Sequence, residues 1–187
     1  MIVVDTNVIA YCWIRGDRTA LAQRVRLQDP DWHVPILWRS ELRNVLALQV
    51  ARGTLALGDA STVMAATEST LAGREHLMTG STVLELAARA GLSAYDCEFV
   101  ALAQALVVPL VTEDRAVLKA FPDLALTMEA YLTNAAAPPE AHSPRARYAV
   151  SSQRGEKIGH PPTRVRQPYR LSPRIGSARL SPSLKRR

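Results

Sequence analysis

The first ten residues constrain the fold more than any other part of the chain. Residues 2–4 (Ile-Val-Val) are apolar and β-branched without polar alternation, which is typical of a short strand buried on both faces. Asp5 ends this run, and Thr6 and Asn7 are residue types that favour the start of a helix. The pattern predicts a strand, a carboxylate and a helix. It places Asp5 at the carboxyl end of a central parallel strand, where open α/β sheets bind ligands.

The chain up to residue 132 alternates apolar extended segments with helical patterns. Pro35 favours the end of a strand over its centre, and Gly53 and Gly91 end predicted helices. Strands that alternate with helices predict a parallel sheet covered on both sides, that is, an α/β protein with three α/β/α layers. After the first strand, the predicted extended segments are 33–36, 73–78, 107–111 and 124–128.

Charge and proline content divide the chain near residue 132. Residues 1–132 carry 11 basic and 15 acidic side chains, whereas residues 133–187 carry 12 basic and 2 acidic ones. Eight of the twelve prolines lie in the second segment. We therefore expect one folded domain at 1–132 and a disordered, basic, Pro- and Ser-rich tail at 133–187. The tail either adds non-specific attraction to nucleic acid or is a dispensable extension.

Cysteine usage and hydropathy indicate the compartment. Cys12 and Cys97 show neither a disulfide framework nor metal-ligand spacing, so we expect small core residues in a reducing environment. The apolar run at the N-terminus is cut by Asp5, so it does not predict a signal peptide. No stretch approaches the roughly 18 apolar residues of a membrane span. These features predict a soluble cytoplasmic protein without a membrane partner.

Four carboxylates are predicted at helix starts: Asp5, Glu41, Asp96 and Asp114. Taken singly, each is explained as a helix cap or as a partner of the helix dipole. Taken together, they favour a shared site, because Asp5 and Asp114 follow strands that a parallel sheet places side by side. Crowded carboxylates raise one another's pKa unless a cation is bound. An all-oxygen set suits Mg²⁺ or Mn²⁺ better than Zn²⁺, and phosphodiester hydrolysis is its natural chemistry.

The chain contains, in this order, the motifs Val4-Asp5-Thr6-Asn7, Ser40-Glu41-Leu42, Tyr95-Asp96 and Thr112-Glu113-Asp114-Arg115. Together they resemble the motifs of the PIN-domain ribonucleases. The likeness is greatest to the VapC-like toxins of VapBC toxin–antitoxin pairs, and it extends from residue 1 to about 132. Glu113 departs from the family pattern, in which a small residue is common at this position. We expect its side chain to point outward and to add negative charge near the RNA.

The resemblance implies an activity, a cofactor and partners. It implies a Mg²⁺- or Mn²⁺-dependent endoribonuclease of PIN-like fold, with RNA as substrate, an antitoxin as inhibitor and a homodimeric state. Asp5 and Asp96 match the usual metal ligands of the family, and Asn7 and Thr112 match supporting polar residues. The implied acidic quartet is Asp5, Glu41, Asp96 and Asp114. Arginines available for RNA phosphates are Arg15, Arg39, Arg43 and Arg115, although exposed arginines commonly only solvate a surface.

Other functions fit the residues less well. A metal-free ribonuclease needs paired histidines, and His33 and His76 are far apart in sequence. A phosphatase with an aspartyl nucleophile resembles Asp-x-Asp after its first strand, but position 7 is Asn. The first strand is not followed by the glycine motif of dinucleotide-binding proteins. A PIN scaffold that binds RNA or protein without cutting it is the alternative from another class.

Overall fold

The structure, a computed structural model, describes residues 1–135. Strands and helices alternate along them as the apolar pattern predicts. In chain order they are β1 (Ile2–Val4), α1 (Thr6–Trp13), α2 (Thr19–Gln28), β2 (Trp32–Pro35), α3 (Trp38–Ala51), α4 (Leu57–Leu71), β3 (Glu75–His76), α5 (Gly80–Ala90), α6 (Ala94–Leu106), β4 (Leu110–Val111), α7 (Arg115–Ala120), β5 (Ala125–Leu126) and α8 (Met128–Ala135).

The five strands form one parallel sheet in the order β3-β2-β1-β4-β5. Strand β1 lies at its centre, where Ile2 pairs with Trp32 of β2 and Val3 pairs with Leu110 of β4. All three residues of β1 are buried, as expected for a strand covered on both faces. The predicted α/β/α fold with a central parallel sheet is confirmed.

Helix packing around the sheet explains why β1 is inaccessible to solvent. Helix α6 contacts β1, β2 and β4, and α5 packs against α6. Helix α1 packs against α2 and α3, and α2 also contacts α8. Each large apolar side chain removed from water contributes roughly 1.5–3 kcal/mol to folding. The largest fully buried side chains include Trp32, Trp38, Ile2, Ile9 and Leu42.

The C-terminal part of the described chain corrects one prediction. The last strand was expected at 124–128, but β5 covers only Ala125–Leu126 and Met128 begins α8. The Thr127 hydroxyl accepts the amide hydrogen of Ala130 at 3.0 Å, so Thr127 caps a helix instead of extending a strand. Met128 is fully buried, and this explains its apolar character.

The two cysteines are small core residues, as the sequence predicts. Cys12 and Cys97 are both buried and both free thiols. Burial raises the pKa of the Cys12 thiol to about 11, so it stays protonated at neutral pH. Within residues 1–135, no helix is long and apolar enough to span a membrane.

The predicted tail begins at residue 133, and its residues 136–187 lie outside the described part of the chain. Because its composition does not support a core, we expect a chain ending at Ala135 to melt within a few degrees of the full chain. The same truncation should weaken RNA binding most at low salt, since the removed segment is strongly basic. Calorimetry and RNA titrations at two salt concentrations measure both effects. An insoluble or unfolded truncated protein would contradict the predicted boundary.

Candidate active site

Asp5 lies where β1 ends and α1 begins. Its amide donates to the carbonyl oxygen of Val111 at 3.0 Å, so its main chain still belongs to the sheet beside β4. Asp5 occupies the N-cap position of α1, yet its carboxylate makes no capping hydrogen bond to the helix. Instead, Oδ2 accepts hydrogen bonds from Nδ2 of Asn7, at 2.6 Å, and from the Thr112 hydroxyl. The polar groups that hold this carboxylate therefore come largely from its side-chain neighbours.

The Thr112 hydroxyl connects the ends of β1 and β4. Thr112 is fully buried, and its hydroxyl donates to Asp5 while accepting from the amide of Asp114 at 3.0 Å. Nδ2 of Asn7 also approaches it at 3.3 Å. Asn7 in turn accepts the amide hydrogen of Glu113 through Oδ1, at 3.2 Å. Asn7 and Thr112, predicted as supporting residues, thus form one network around the Asp5 carboxylate.

Glu41 reaches the same edge of the sheet from the first turn of α3. Its Oε2 accepts a hydrogen bond from the buried Thr6 hydroxyl at 2.5 Å. Thr6 was predicted only as a residue that favours a helix start, and its contact with Glu41 was not foreseen. The pair is separated by 35 positions, so no local sequence signal reports the contact.

Asp96 and a further acid, Glu98, are close enough to the site for their charges to raise pKa values there. Burial is the main cause that raises the pKa of Asp5, and the charge of Asp96 adds to it. The Thr112 hydroxyl and nearby backbone amides oppose this rise. Burial also raises the pKa of Glu41, and Asp5, Asp96 and Glu98 raise it further by repulsion. Glu98 was not predicted as a site residue. We call Asp5, Glu41, Asp96 and Glu98 the acidic cluster.

Asp96 and Asp114 both make hydrogen bonds at the starts of their helices, as the explanation of each residue as a helix cap predicts. Asp96 donates its amide to the Ser93 hydroxyl at 3.1 Å, and that hydroxyl donates to Oδ2 of Asp96 at 2.7 Å. Oδ1 of Asp114 accepts the amide hydrogens of Ala116, at 2.7 Å, and Val117, at 3.1 Å, which caps α7. Asp114 is linked to the acidic cluster through its amide and the Thr112 hydroxyl.

Glu113 has a structural role at the edge of this site. Its carboxylate pairs with Arg18 and accepts the amide hydrogen of Met128 at 3.0 Å, at the start of α8. The Glu113 side chain is only 13% exposed, so the expectation that it points outward is wrong, and the ion pair with Arg18 compensates its negative charge. Glu113, which departs from the family pattern, therefore links the start of α8 to the segment that carries Thr112 and Asp114.

The two histidines are not separate, contrary to the sequence-based expectation. Nδ1 of His33 and Nε2 of His76 lie 2.8 Å apart across β2 and β3. Burial and the neighbouring His33 lower the pKa of His76. Nε2 of His33 lies 3.3 Å from Oδ1 of Asp31, which precedes β2. His33 is the second residue of β2, and His76 is the last residue of β3.

The residues of the acidic cluster fit a divalent cation of the Mg²⁺ type. All the side-chain donors are oxygen atoms. Burial is the main cause that raises the pKa of Asp5 and Glu41, and the repulsion that adds to it is what a bound cation relieves. Within residues 1–135, no three His, Cys, Asp or Glu side chains are grouped closely enough to form a ready-made cage. Mg²⁺ needs only one or two protein carboxylates and keeps several waters. The arrangement thus suits Mg²⁺ or Mn²⁺ and not a structural zinc.

The fold and the site define an α/β domain with an acidic cluster at the carboxyl edge of a parallel sheet. A model of the PIN domain family matches residues 2–124, and the chain belongs to that family. PIN domains are generally nucleases. No curated protein matches this chain at a significant level of sequence similarity.

Two solved structures are similar to this chain in fold. PAE2754 from Pyrobaculum aerophilum has a TM-score of 0.59 and 21% sequence identity, over 73% of this chain and 90% of that one. FitAcB from Neisseria gonorrhoeae has a TM-score of 0.50 and 22% identity, over 69% of this chain and 99% of that one. At such identities the likeness establishes a shared fold.

Proposed function

We propose that the chain is a Mg²⁺- or Mn²⁺-dependent endoribonuclease, acting as the toxin of a VapBC-like toxin–antitoxin pair. The observation that carries the proposal is the state of Asp5. Its carboxylate is held by the side chains of Asn7 and Thr112, and burial together with the charge of Asp96 raises its pKa. Burial of a charge beside a like charge is unfavourable for folding, and such groups cluster at functional sites.

The proposed roles follow from the contacts. Asp5 and Asp96 hold the metal ion, and Thr112 and Asn7 fix the Asp5 carboxylate toward it. Thr6 orients Glu41, which accepts a proton or positions water beside the scissile phosphate. Asp114 keeps α7 in place and holds the Thr112 hydroxyl through its amide. A bound metal ion neutralises charge on the phosphodiester and lowers the pKa of water.

The partners rest on the resemblance to VapC-like toxins. That resemblance supports an RNA substrate, an inhibitory antitoxin, a homodimeric state and a cytoplasmic location. The alternative is a PIN scaffold that binds RNA or protein without cutting. The intact acidic quartet favours the enzyme, because a pure binding module gains nothing from a buried carboxylate beside Asp96.

Cleavage of a mixed RNA pool tests the proposal. We expect cutting with Mg²⁺ or Mn²⁺ and none in EDTA. Asp96→Asn and Glu41→Gln should each reduce it by at least about 100-fold, since metal-assisted charge stabilisation supplies several kcal/mol and 1.36 kcal/mol is tenfold. Asp114→Asn should lose less, because its side chain caps α7.

Glu85→Gln, an exposed change on α5 outside the cluster, is the matched control for loss of charge. Circular dichroism confirms that each variant is folded. RNA binding without metal-dependent cutting, unchanged in Asp96→Asn, would favour the non-catalytic scaffold instead.

A further inference from the structure

A pocket opens beside the acidic cluster, at the ends of β2 and β3. It has a volume of about 430 Å³, within the range of small-ligand sites. Ile36 follows β2, and Leu77 and Met78 follow β3, so the pocket shares the carboxyl edge of the sheet with Asp5. Its wall also includes Glu98, whose charge raises the pKa of Glu41. The pocket and the acidic cluster are therefore neighbours that share Glu98.

The apolar part of the pocket is unusually exposed. Leu77 is 85% exposed and Ile36 is 49% exposed, although both lie beside charged side chains. Exposed apolar side chains at a pocket offer packing surface to a flat, weakly polar group such as a nucleobase. Neither residue belongs to the buried core or to the apolar side chains that pack against it.

The charged part of the pocket provides one cation that is not neutralised. Arg39 forms part of the pocket wall and is held in place there. It pairs with Glu75 at 2.6 Å, pairs with Glu68, and lies over the Trp38 ring. Arg43, one helical turn later, has only neutral partners among the described residues. It donates to the carbonyl of Arg39 at 2.9 Å and to the Ser40 hydroxyl at 3.2 Å. A free guanidinium beside an apolar surface matches a phosphate beside a base.

We propose that this pocket binds the base of one nucleotide next to the cut, with a preference for guanine. The inference rests on the proposed nuclease function. Leu77 and Ile36 pack on the base, Arg43 contacts its phosphate, and the Glu98 carboxylate accepts hydrogen bonds from the base edge. Guanine presents an imino and an amino N–H side by side. The other bases turn at least one acceptor toward a carboxylate, which repels it.

Sequencing the ends of a cleaved random RNA pool tests the preference. We expect guanine to be enriched at one position adjoining the cut, and Glu98→Gln to reduce that enrichment by about fivefold or more. Arg43→Gln and Leu77→Ser should weaken cutting of all sequences. Matched controls on α2 are Arg24→Gln and Leu27→Ser, since Leu27 is 84% exposed and neither residue lines the pocket.

Binding of free nucleotides gives a second readout that does not depend on cutting. In EDTA, ligand-observed NMR should detect 5′-GMP binding more strongly than 5′-UMP. Glu98→Gln should abolish this difference while Glu85→Gln preserves it, and Leu77→Ser should weaken the binding of both nucleotides while Leu27→Ser leaves it unchanged. Wild-type protein that binds 5′-GMP but cuts no RNA would support the pocket and refute the nuclease. An RNA cut profile and nucleotide binding that are unchanged in all three pocket variants would overturn the pocket proposal and leave the nuclease proposal standing.

Discussion

Asp5→Asn is expected to abolish RNA cleavage while leaving the metal-free protein as stable as the wild type or more stable. The carboxylate is buried beside Asp96, and both effects raise its pKa, so its ionised form is unfavourable in the fold. Asparagine removes that charge and keeps an oxygen that accepts from Thr112. We expect a melting temperature in EDTA about 1–3 °C above wild type, and a loss of activity of at least about 100-fold.

The pH dependence gives this prediction a definite sign. A carboxyl with a raised pKa binds its proton more tightly in the folded state, so the stability it contributes is present at low pH and lost as pH rises. In EDTA, the advantage of Asp5→Asn over wild type should grow from about pH 4 upward through the pKa of folded Asp5. Excess Mn²⁺ should stabilise wild type more than the variant and so reverse the order.

The control is Asp29→Asn, because Asp29 lies outside the cluster and pairs with the N-terminal ammonium at 2.6 Å. Its removal should lower stability slightly and leave cleavage unchanged. Thermal melts across pH, with EDTA and with Mn²⁺, provide the data. A marked loss of stability in metal-free Asp5→Asn, with cleavage retained, would show that Asp5 is a structural residue.

The central strand and the positions of the acids were predictable because they depend on local rules. An unbroken apolar run before Asp5 indicates a buried strand, and β1 is buried throughout. Because β1 and β4 are parallel neighbours, the residues that follow them lie at the same edge of the sheet, as Asp5 and Thr112 do. Helix starts were predictable for the same reason, since Ser93 caps α6 through its own side chain.

The remaining features depend on contacts between distant residues. Strand β3 has only two residues, so its pairing with β2, and with it the contact of His33 with His76, leaves no periodic signal. Glu98 lies two positions after Asp96, a spacing that does not share a helix face. Its influence on Glu41, a residue of α3, depends on the tertiary fold and not on a local spacing. The side-chain direction of Asp114 was also open, because a helix cap and a site acid have the same sequence position.

Thr112→Val is expected to destabilise the protein by roughly 1–3 kcal/mol and to reduce cleavage strongly. Valine has nearly the same shape but no hydroxyl. The change removes the donor to Asp5 and the acceptor for the amide of Asp114, both at a fully buried position. Asp5 then loses a hydrogen bond that favours its charged form, so its pKa rises further and metal binding weakens.

Two companion variants separate this network from burial alone. Thr67 is equally buried, but its hydroxyl donates only to the carbonyl of Val63 within its own helix, at 2.8 Å. Thr67→Val should therefore cost less than about 1 kcal/mol and leave cleavage unchanged. Thr112→Ser keeps the hydroxyl and should retain most of the activity at some loss of packing. Urea unfolding and RNA cleavage are measured for all three. Because valine keeps the shape and serine keeps the hydroxyl, retained cleavage in Thr112→Val with loss of cleavage in Thr112→Ser would show that Thr112 acts through packing and not through Asp5.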